Sequence, residues 1–268
     1  MPDTAEDRLY WERLLAPGAV TLDQQAEWLG YSRWLYASWV RRYLKSKGSL
    51  ARVLKTDSFE ETRGSEVVDA LNRYYGHVVV IDLAHSVLCQ SAPRLQNVSS
   101  DRVQTAAQQL PFCPESFDAV ISLSTLDHFG STEEISQSLR ELRDLTKPGG
   151  ELLLTLDNAA NPVVWLRNRL PFEMLRRLSI SPYRYGVTLG PTALREALEA
   201  AGWRVRTLTP VVHAPRMLSV ALSRWVNDGG ALTRVRYCRW LNYFEAAGRW
   251  PTKTLTGYFL LAVCERED

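Results

Sequence analysis

Residues 117–156 read FDAVISLSTLDHFGSTEEISQSLRELRDLTKPGGELLLTL, and this stretch decides the fold. The apolar run at its start predicts a β-strand, and the three-to-four spacing of Ile135, Leu139 and Leu142 predicts a helix. The Lys-Pro-Gly-Gly sequence at 147–150 predicts a tight turn that ends this helix and leads into a second apolar strand. A strand, a helix and a strand in this order predict two parallel strands of one sheet with the helix packed on a face.

The same alternation continues on both sides of this stretch. Upstream, the sequence predicts strands in 51–56, 76–83 and near 102–105, with helices in 63–75 and 85–92. Downstream, it predicts a helix in 191–202 and strands in 203–212 and 256–266. Because strands alternate with helices at this spacing, we expect a doubly wound, mostly parallel α/β sheet with helices on both faces.

Three stretches lie outside this alternation. The N-terminal one predicts helices separated by a Pro-Gly pair at 17–18. The predicted organisation is a helical N-terminal extension or lid at 1–50 and an α/β domain at 51–268, which contains an inserted helical cap at 159–190 and an irregular variable segment at 214–255. Eight of the nine tryptophans fall in the extension, the cap and the variable segment. We expect these tryptophans to mark elements that cover the ligand site, as packing anchors or as contacts.

The composition excludes several classes of protein. The chain has 268 residues with 32 lysines and arginines against 30 acids, and this near-neutral balance gives no field that would attract nucleic acid as a partner. The four cysteines are scattered without metal-ligand spacing, so we predict no metal site and a reducing, cytoplasmic location. No apolar run is long enough to span a membrane, and the acidic N-terminus differs from a signal peptide.

The ends of the predicted strands are the candidate ligand site, because open parallel sheets bind ligands outside the carboxyl ends of their strands. Asp82 ends a strand of aliphatic residues, where a carboxylate can accept two hydrogen bonds from a ribose diol. A solvated aspartate at a strand end fits the same pattern. The other strand ends of interest are 55–57, 105–107 and 122–128.

The order of these segments resembles the class I S-adenosylmethionine-dependent methyltransferases. Residues 103–158 are similar to the family's third strand, LPF loop, fourth strand, LxH, helix and KPGG succession. Residues 77–92 are similar to its second strand and acidic loop, and 185–205 to its late helix and sixth strand. The resemblance covers about 52–210 and the final strand. It implies a seven-stranded sheet with an antiparallel last strand, S-adenosylmethionine as cofactor, and methyl transfer.

The resemblance also implies a cofactor site. The positions that match the family's cofactor-binding segments are Lys55, Thr56, Asp57, Phe59, Glu60, Asp82, Leu83, Ala106, Ala107 and Leu123. Family members place a glycine-rich loop after the first strand, because the backbone there approaches the methionine end of the cofactor. This chain has Phe59 where the family favours glycine, so we expect either a different loop path or a partly filled pocket. In the functional alternative, Asp57 or Glu60 binds the cofactor's ammonium group directly.

The loop after the third predicted strand departs from the family pattern too. Family members commonly carry an acidic residue there that binds the adenine amino group, whereas this chain has Thr105, Ala106 and Ala107. If the resemblance holds, that hydrogen bond comes from the backbone or from Gln108, or is missing.

His128 is the catalytic candidate, because it lies just past the fourth predicted strand. An imidazole titrates near neutrality and can take a proton from a hydroxyl as the methyl group arrives, and the neighbouring Asp127 can orient it. A histidine that caps a helix for structural reasons fits the same position. The chain has no GxSxG elbow, GxGxxG loop or GxxxxGK[ST] loop, which argues against serine hydrolysis and nucleotide-phosphate binding.

The sequence predicts the acceptor only as a class. The arginines and aromatic residues of the cap suit a carboxylate, phosphate or sugar, and residues 249–259 resemble the ending of relatives that act on sugar or natural-product hydroxyls. We therefore predict O-methylation of a small molecule or glycan. Two other interpretations stay open: an enzyme of this fold that catalyses cyclisation or rearrangement without methyl transfer, and a non-catalytic partner subunit of a methyltransferase. A homodimer is open as well.

Overall fold

Seven strands form one sheet in the computed structural model, which describes residues 4–14, 26–45, 47–177 and 183–267. The strands are β1 (Gly48–Lys55), β2 (Tyr75–Asp82), β3 (Ser100–Gln104), β4 (Phe117–Leu123), β5 (Thr146–Asp157), β6 (Trp203–Val211) and β7 (Phe259–Arg266). Their order across the sheet is β3-β2-β1-β4-β5-β7-β6. β7 is antiparallel to β5 and β6, and the other pairs are parallel. The predicted fold class is confirmed.

Helices cover both faces of this sheet. Those of the described part are α1 (Thr4–Leu14), α2 (Ala26–Tyr43), α3 (Glu66–Asn72), α4 (His85–Ser91), α5 (Thr132–Leu145), α6 (Pro162–Arg167), α7 (Phe172–Arg177), α8 (Pro191–Ala200), α9 (Arg216–Asn227), α10 (Ala231–Glu245) and α11 (Lys253–Thr256). α2, α3, α9 and α10 contribute to the apolar core on one face, and α5 and α8 to the core on the other. None of the described helices is long and apolar enough to cross a membrane.

Parallel pairing brings the ends of β2, β1, β4 and β5 to one edge of the sheet. Lys55, the last residue of β1, lies opposite Val80 of β2 and Ile121 of β4. The residues that end β2, β4 and β5 are Asp82, Leu123 and Asp157. Because neighbouring strands lie about 4.8 Å apart, the ends of β2 and β5 are about 14 Å from each other along this edge. A ligand of that length can contact both.

The variable segment at 214–255 corrects the sequence analysis, because it is largely helical rather than irregular. It contains α9, α10 and α11. The residues of α9 that face the interior are Ser219, Ser223 and Val226, whereas Trp225 on its outer face is 83% exposed. The apolar residues of α9 recur at helical spacing but lie on its exposed face, with small polar residues inside, which is the reverse of the usual amphipathic arrangement.

The Lys-Pro-Gly-Gly sequence at 147–150 forms a bulge within β5 rather than a separate turn. In the β4–β5 ladder, Phe117 lies opposite Thr146 and Ala119 lies opposite Glu151. Residues 147–150 of β5 are therefore extra to the pairing and bulge out of the ladder. Gly149 has a φ of +67°. A Cβ atom at Gly150 would lie 2.7 Å from the Lys147 carbonyl oxygen. Both glycines are therefore required by the backbone.

The N-terminal helices are packed onto the α/β domain. Trp28, Tyr31 and Trp39 of α2 are buried in the core on one face of the sheet. On α1, the Glu12 carboxylate accepts hydrogen bonds from the backbone N–H groups of His85 and Ser86 at the start of α4. The predicted Pro-Gly break at 17–18 lies outside the described residues. The division of the chain at residue 50 stays a prediction.

Candidate active site

A cleft of about 240 Å³ runs along the edge where β2, β1, β4 and β5 end. Besides the strand ends, it is lined by α1 and α2 through Trp11, Trp28 and Tyr36 and by Tyr183, Tyr185 and Arg216. The sequence-predicted site residues that line it are Thr56, Asp57, Phe59, Glu60, Asp82, Leu83, Ala106, Ala107, Leu123, Asp127 and His128. The structure therefore brings together every predicted site residue except Lys55.

Lys55 lies beneath the loop that follows β1. Its side chain is fully buried, and Nζ donates hydrogen bonds to Glu61 Oε2 (3.0 Å), Asp57 Oδ2 (3.1 Å) and the Asp57 carbonyl oxygen (2.9 Å). Burial by itself lowers the pKa of an ammonium group, but the charges of Asp57 and Glu61 outweigh burial and raise the pKa of Lys55. Lys55 is a charged support for the loop and not, as predicted, a residue that contacts the cofactor.

The loop at 56–62 folds without glycine. Phe59 has φ −63° and ψ −43°, a helical conformation that any residue adopts. The Phe59 N–H donates to Asp57 Oδ1 at 3.3 Å and so holds the start of a 3-10 turn. Among the described non-glycine residues, those with positive φ are Glu115, Ser124 and Val212, all outside this loop. The loop follows a path that avoids left-handed backbone, and the Phe59 side chain lines the cleft.

Asp82 presents a carboxylate to the cleft. Oδ2 accepts the Ser58 N–H at 3.0 Å, and Oδ1 accepts the Ala84 N–H at 2.9 Å. A carboxylate oxygen has two lone pairs, so each oxygen keeps one acceptor position for a ligand. Burial raises the pKa of Asp82 to about 6, although the two backbone hydrogen bonds act in the opposite direction. The two remaining acceptor positions match the two hydroxyls of a ribose.

Glu60 adds a carboxylate at the end of β1. Its side chain lines the cleft, and it has no hydrogen-bond or ion-pair partner among the residues that the structure describes. Burial, and next the charge of Asp57, raise the pKa of Glu60 to about 7. Two acids on this loop suit a cationic group such as an ammonium.

Apolar residues, two of them alanines, line the cleft beyond Asp82. Leu83, Ala106 and Ala107 leave room there for a flat ring. The Thr105 hydroxyl donates to the Gln109 carbonyl oxygen at 2.7 Å, so its proton is used within the loop. The Gln108 side chain also lines the cleft. An amide can both donate and accept, which suits the edge of a purine.

Asp127 lies near the other end of the cleft, on the 3-10 turn Leu126–His128 that follows β4. It is buried, and its Oδ1 has no hydrogen-bond partner within the described part of the chain. Burial raises the pKa of Asp127 to about 6; the charge of His128 lowers it, and that of Asp157 raises it further. A carboxylate with a free oxygen and a pKa near neutrality has the properties of a general base.

His128 is oriented by the backbone and not by Asp127. Its ring contacts Trp11 and Tyr183 edge-to-face, with centroid distances of 4.8 and 5.4 Å. Nδ1 lies 3.4 Å from the carbonyl oxygen of Arg184. A proton on Nδ1 that is donated to this carbonyl leaves Nε2 as a hydrogen-bond acceptor. The orienting role predicted for Asp127 is therefore not seen, and Asp127 is a second, independent candidate base.

Sequence reasoning missed the residues near the end of β5. Asp157 and Arg167 form a buried ion pair with an Oδ2–Nη2 distance of 2.6 Å. Asp157 ends a predicted strand, so inspection of every strand end would have found it. Tyr183, Tyr185 and Arg216 also line the cleft. The two tyrosines belong to the cap aromatics that were predicted to suit the acceptor, whereas Arg216 comes from the segment that was predicted to be irregular.

Comparison with known proteins decides the family. Residues 63–154 match the family described as a methyltransferase domain. Over 177 residues the chain is 32% identical to the uncharacterized protein YafE of Escherichia coli (strain K12), covering 58% of this chain and 82% of that protein. The chain belongs to the class I S-adenosylmethionine-dependent methyltransferases. The family match begins just after the loop at 56–62, the part of this methyltransferase that departs most from the glycine-rich pattern.

Solved structures share the fold of this methyltransferase. The geranyl diphosphate C-methyltransferase from Streptomyces coelicolor A3(2), in complex with Mg²⁺, geranyl diphosphate and S-adenosyl-L-homocysteine, aligns with a TM-score of 0.61 and 11% identity over 99% of both chains. The [4+2]-cyclase SpnF aligns with a TM-score of 0.57 and 17% identity over 88% of this chain and 81% of that chain. At these identities the likeness shows the fold alone.

The cleft residues fit S-adenosylmethionine, the cofactor of this family. The free acceptor positions of Asp82 match the ribose hydroxyls, and the unpartnered Glu60 carboxylate matches the cofactor's ammonium group. The adenine side has apolar residues and one amide in place of the usual acid. The methyltransferase thus keeps a site for the cofactor although its first loop lacks glycine.

Lys55→Met tests the role of Lys55 as a support. The substitution leaves Glu61 buried without a counter-charge, so we expect the free energy of unfolding to fall by about 3–5 kcal/mol. Urea unfolding measures it. The matched control is Lys47→Met, a change at an exposed lysine, for which we expect a loss below about 0.5 kcal/mol. Equal losses for the two variants would contradict the assignment.

Proposed function

We propose that this methyltransferase transfers a methyl group from S-adenosylmethionine to an oxygen atom of a small molecule or glycan. One observation carries the proposal: a single cleft joins Asp82 and Glu60, which suit the cofactor, to Asp127, which has a free buried oxygen. The aromatic residues of α1 and α2 enclose the same cleft, and such an enclosure suits a small acceptor rather than a protein surface or a nucleic acid.

The cofactor end of the cleft extends from β2 to β1. We infer that Asp82 binds the ribose hydroxyls, that Leu83, Ala106 and Ala107 flank the adenine ring, and that the Gln108 amide meets its amino group. Glu60 and Asp57 face the ammonium group, while Thr56, Phe59 and Leu123 complete the wall. When bound in this orientation, the cofactor supplies an electrophilic methyl group on a sulfonium.

The acceptor end extends from β4 to β5. Asp127 would take the proton of the acceptor hydroxyl while the methyl carbon exchanges its bond to the sulfonium sulfur for a bond to the acceptor oxygen. A base with a pKa near 6 is ionised at neutral pH and still strong enough to accept a proton in the transition state. His128 is the second candidate for this role through Nε2. Trp11 and Tyr183, which hold the His128 ring, also restrict the entry of water.

A second candidate function is cyclisation or rearrangement in the same cleft without methyl transfer. The likeness of fold to the [4+2]-cyclase SpnF and the glycine-free loop favour this alternative. Turnover of an acceptor that does not require S-adenosylmethionine and gives no demethylated cofactor would support it over methyl transfer.

Asp82→Ala tests the cofactor site. We expect isothermal titration calorimetry to give a micromolar or lower dissociation constant for S-adenosylhomocysteine with the wild-type protein. The variant should bind at least about tenfold more weakly, because two hydrogen bonds to a carboxylate are lost. Asp101→Ala, at an exposed aspartate of β3, is the control and should leave the affinity unchanged. If calorimetry of the wild-type protein detects no binding heat with S-adenosylmethionine or with S-adenosylhomocysteine, the proposed function is contradicted.

Asp127→Asn tests the base. With an acceptor selected from a panel of hydroxyl compounds, we expect kcat for methyl transfer to fall about 10²- to 10⁴-fold and the affinity for S-adenosylhomocysteine to stay constant. In the wild-type protein, kcat should decline as the pH falls through about 6, because protonation removes the base. A larger loss in His128→Gln than in Asp127→Asn would transfer the role to His128.

A further inference from the structure

Arg216, the first residue of α9, points a partly buried guanidinium into a cluster of phenols beside the cleft. Nη1 donates to the Tyr258 hydroxyl at 2.9 Å and to the Tyr185 hydroxyl at 3.5 Å, and Nη2 donates to the Tyr183 hydroxyl at 3.1 Å. Arg216, Tyr183 and Tyr185 all line the cleft. The cation that faces the acceptor end is thus held in place by neutral groups.

This cation has no carboxylate of its own. Asp157 approaches the cluster, where its Oδ2 is bound to Arg167 at 2.6 Å and its Oδ1 has no hydrogen-bond partner within the described part of the chain. Among the described residues, Arg216 forms no ion pair with an acid. Buried charges in proteins are normally paired, because an isolated ion in a low-dielectric site is expensive. The arrangement therefore leaves a counter-charge to be supplied from the cleft.

The phenols of the cluster add donors of their own. The Tyr258 hydroxyl accepts one N–H from Arg167 at 2.7 Å and one from Arg216 at 2.9 Å, which uses both of its lone pairs. Its own proton is left for a third group. Polarisation by two guanidinium groups strengthens that donor.

The backbone that leads into α9 is strained in a way that fixes Arg216. Val212, between β6 and α9, has a φ of +60°, which is rare for a β-branched residue. Its carbonyl oxygen accepts the Tyr258 N–H at 3.0 Å, so the strained turn is tied to the residue that carries the central phenol. Strain of this kind persists where the surrounding structure holds a functional group in place.

We propose that Arg216, together with the cleft-lining Tyr183 and Tyr185 hydroxyls, binds a carboxylate of the acceptor. Both Nη1 N–H groups of Arg216 are donated to phenols, so a carboxylate would accept from the remaining Nη2 N–H, and the cleft-lining phenols supply further donors around it. This inference rests on the proposed function and specifies its substrate class as an acidic small molecule. The carboxylate of the cofactor itself has the same chemistry, and the experiment separates the two sources.

The test uses pairs of probes that differ only in charge. With the protein saturated by S-adenosylhomocysteine, calorimetry compares benzoate with benzamide and 4-hydroxybenzoate with 4-hydroxybenzamide. We expect each carboxylate to bind the wild-type protein at least about tenfold more tightly than its amide, and Arg216→Gln to abolish that preference. Tyr185→Phe, a milder change, should reduce it about fivefold. Arg224→Gln, at an exposed arginine of α9, should leave it intact.

Each outcome decides one question. If the wild-type protein binds S-adenosylhomocysteine but does not prefer the carboxylates, or binds none of the four probes, the inference is wrong and the proposed function stands. If Arg216→Gln weakens S-adenosylhomocysteine at least tenfold and leaves the probe preference unchanged, the guanidinium serves the cofactor carboxylate, and the acceptor assignment is overturned. If the wild-type protein does not bind S-adenosylhomocysteine, the proposed function itself fails. Should Arg216→Gln not fold, the wild-type preference and Tyr185→Phe still decide.

Discussion

The buried ammonium group of Lys55 is the interaction on which the cofactor end of the cleft depends. It bonds to both Asp57 and Glu61, which are four residues apart in the chain and are brought together by the 3-10 turn at 60–62. The Lys55 side chain is wholly shielded from solvent. In a glycine-rich loop, backbone freedom allows the close turn. Here the charge of Lys55 beneath the loop at 56–62 holds the turn closed through Asp57 and Glu61. The loop therefore needs no glycine, and its residues can present side chains to the cleft.

That exchange has a chemical consequence for ligand binding. Side chains replace bare backbone on the wall of the cleft, and two of them, Asp57 and Glu60, are acids. The cofactor end is therefore rich in acceptors, whereas the far end holds Arg216 and three phenols. An ammonium group over β1 and an anionic acceptor group over β5 would each find complementary partners, about 10 Å apart along the sheet edge. The unequal distribution of charge along the cleft therefore favours one orientation of the two ligands, with the cofactor's ammonium group at the acidic end and the acceptor's anionic group at the Arg216 end.

The sequence was sufficient for the scaffold and for most of the cleft. Aliphatic runs such as 78–81 are buried on both faces, so their strands and their order along the chain could be recognised. The ends of parallel strands converge, which is why Asp82, Leu123 and Asp127 could be placed together from position alone. The rule works because it depends on topology and not on the identity of side chains.

Other features depend on contacts between distant parts of the chain. A lysine at a strand end reads as a ligand contact until its carboxylate partners are placed beside it, and this explains the error at Lys55. α9 is different, because Leu218, Leu222 and Trp225 repeat at helical spacing and local sequence was enough to indicate the helix. The sequence did not show that this apolar face would be exposed. Arg216 gains its environment only when α9 meets the tyrosines of the cap and of the 256–258 turn. No local pattern encodes such a cluster.

The central claim is that a carboxylate loop, held by Lys55, binds the ammonium group of the cofactor. The most direct measurement is the dissociation constant of S-adenosylhomocysteine for the wild-type protein and for Glu60→Gln between pH 8 and 6.5. Since burial raises the pKa of Glu60 to about 7, its charge is lost as the pH falls through this range, and the wild-type affinity should fall with it. Asp82, with a pKa of about 6, titrates mostly below it. For Glu60→Gln we predict weaker binding of S-adenosylhomocysteine, with a dissociation constant that does not change over this pH range. If the affinity of both proteins depends on pH in the same way, the account is contradicted.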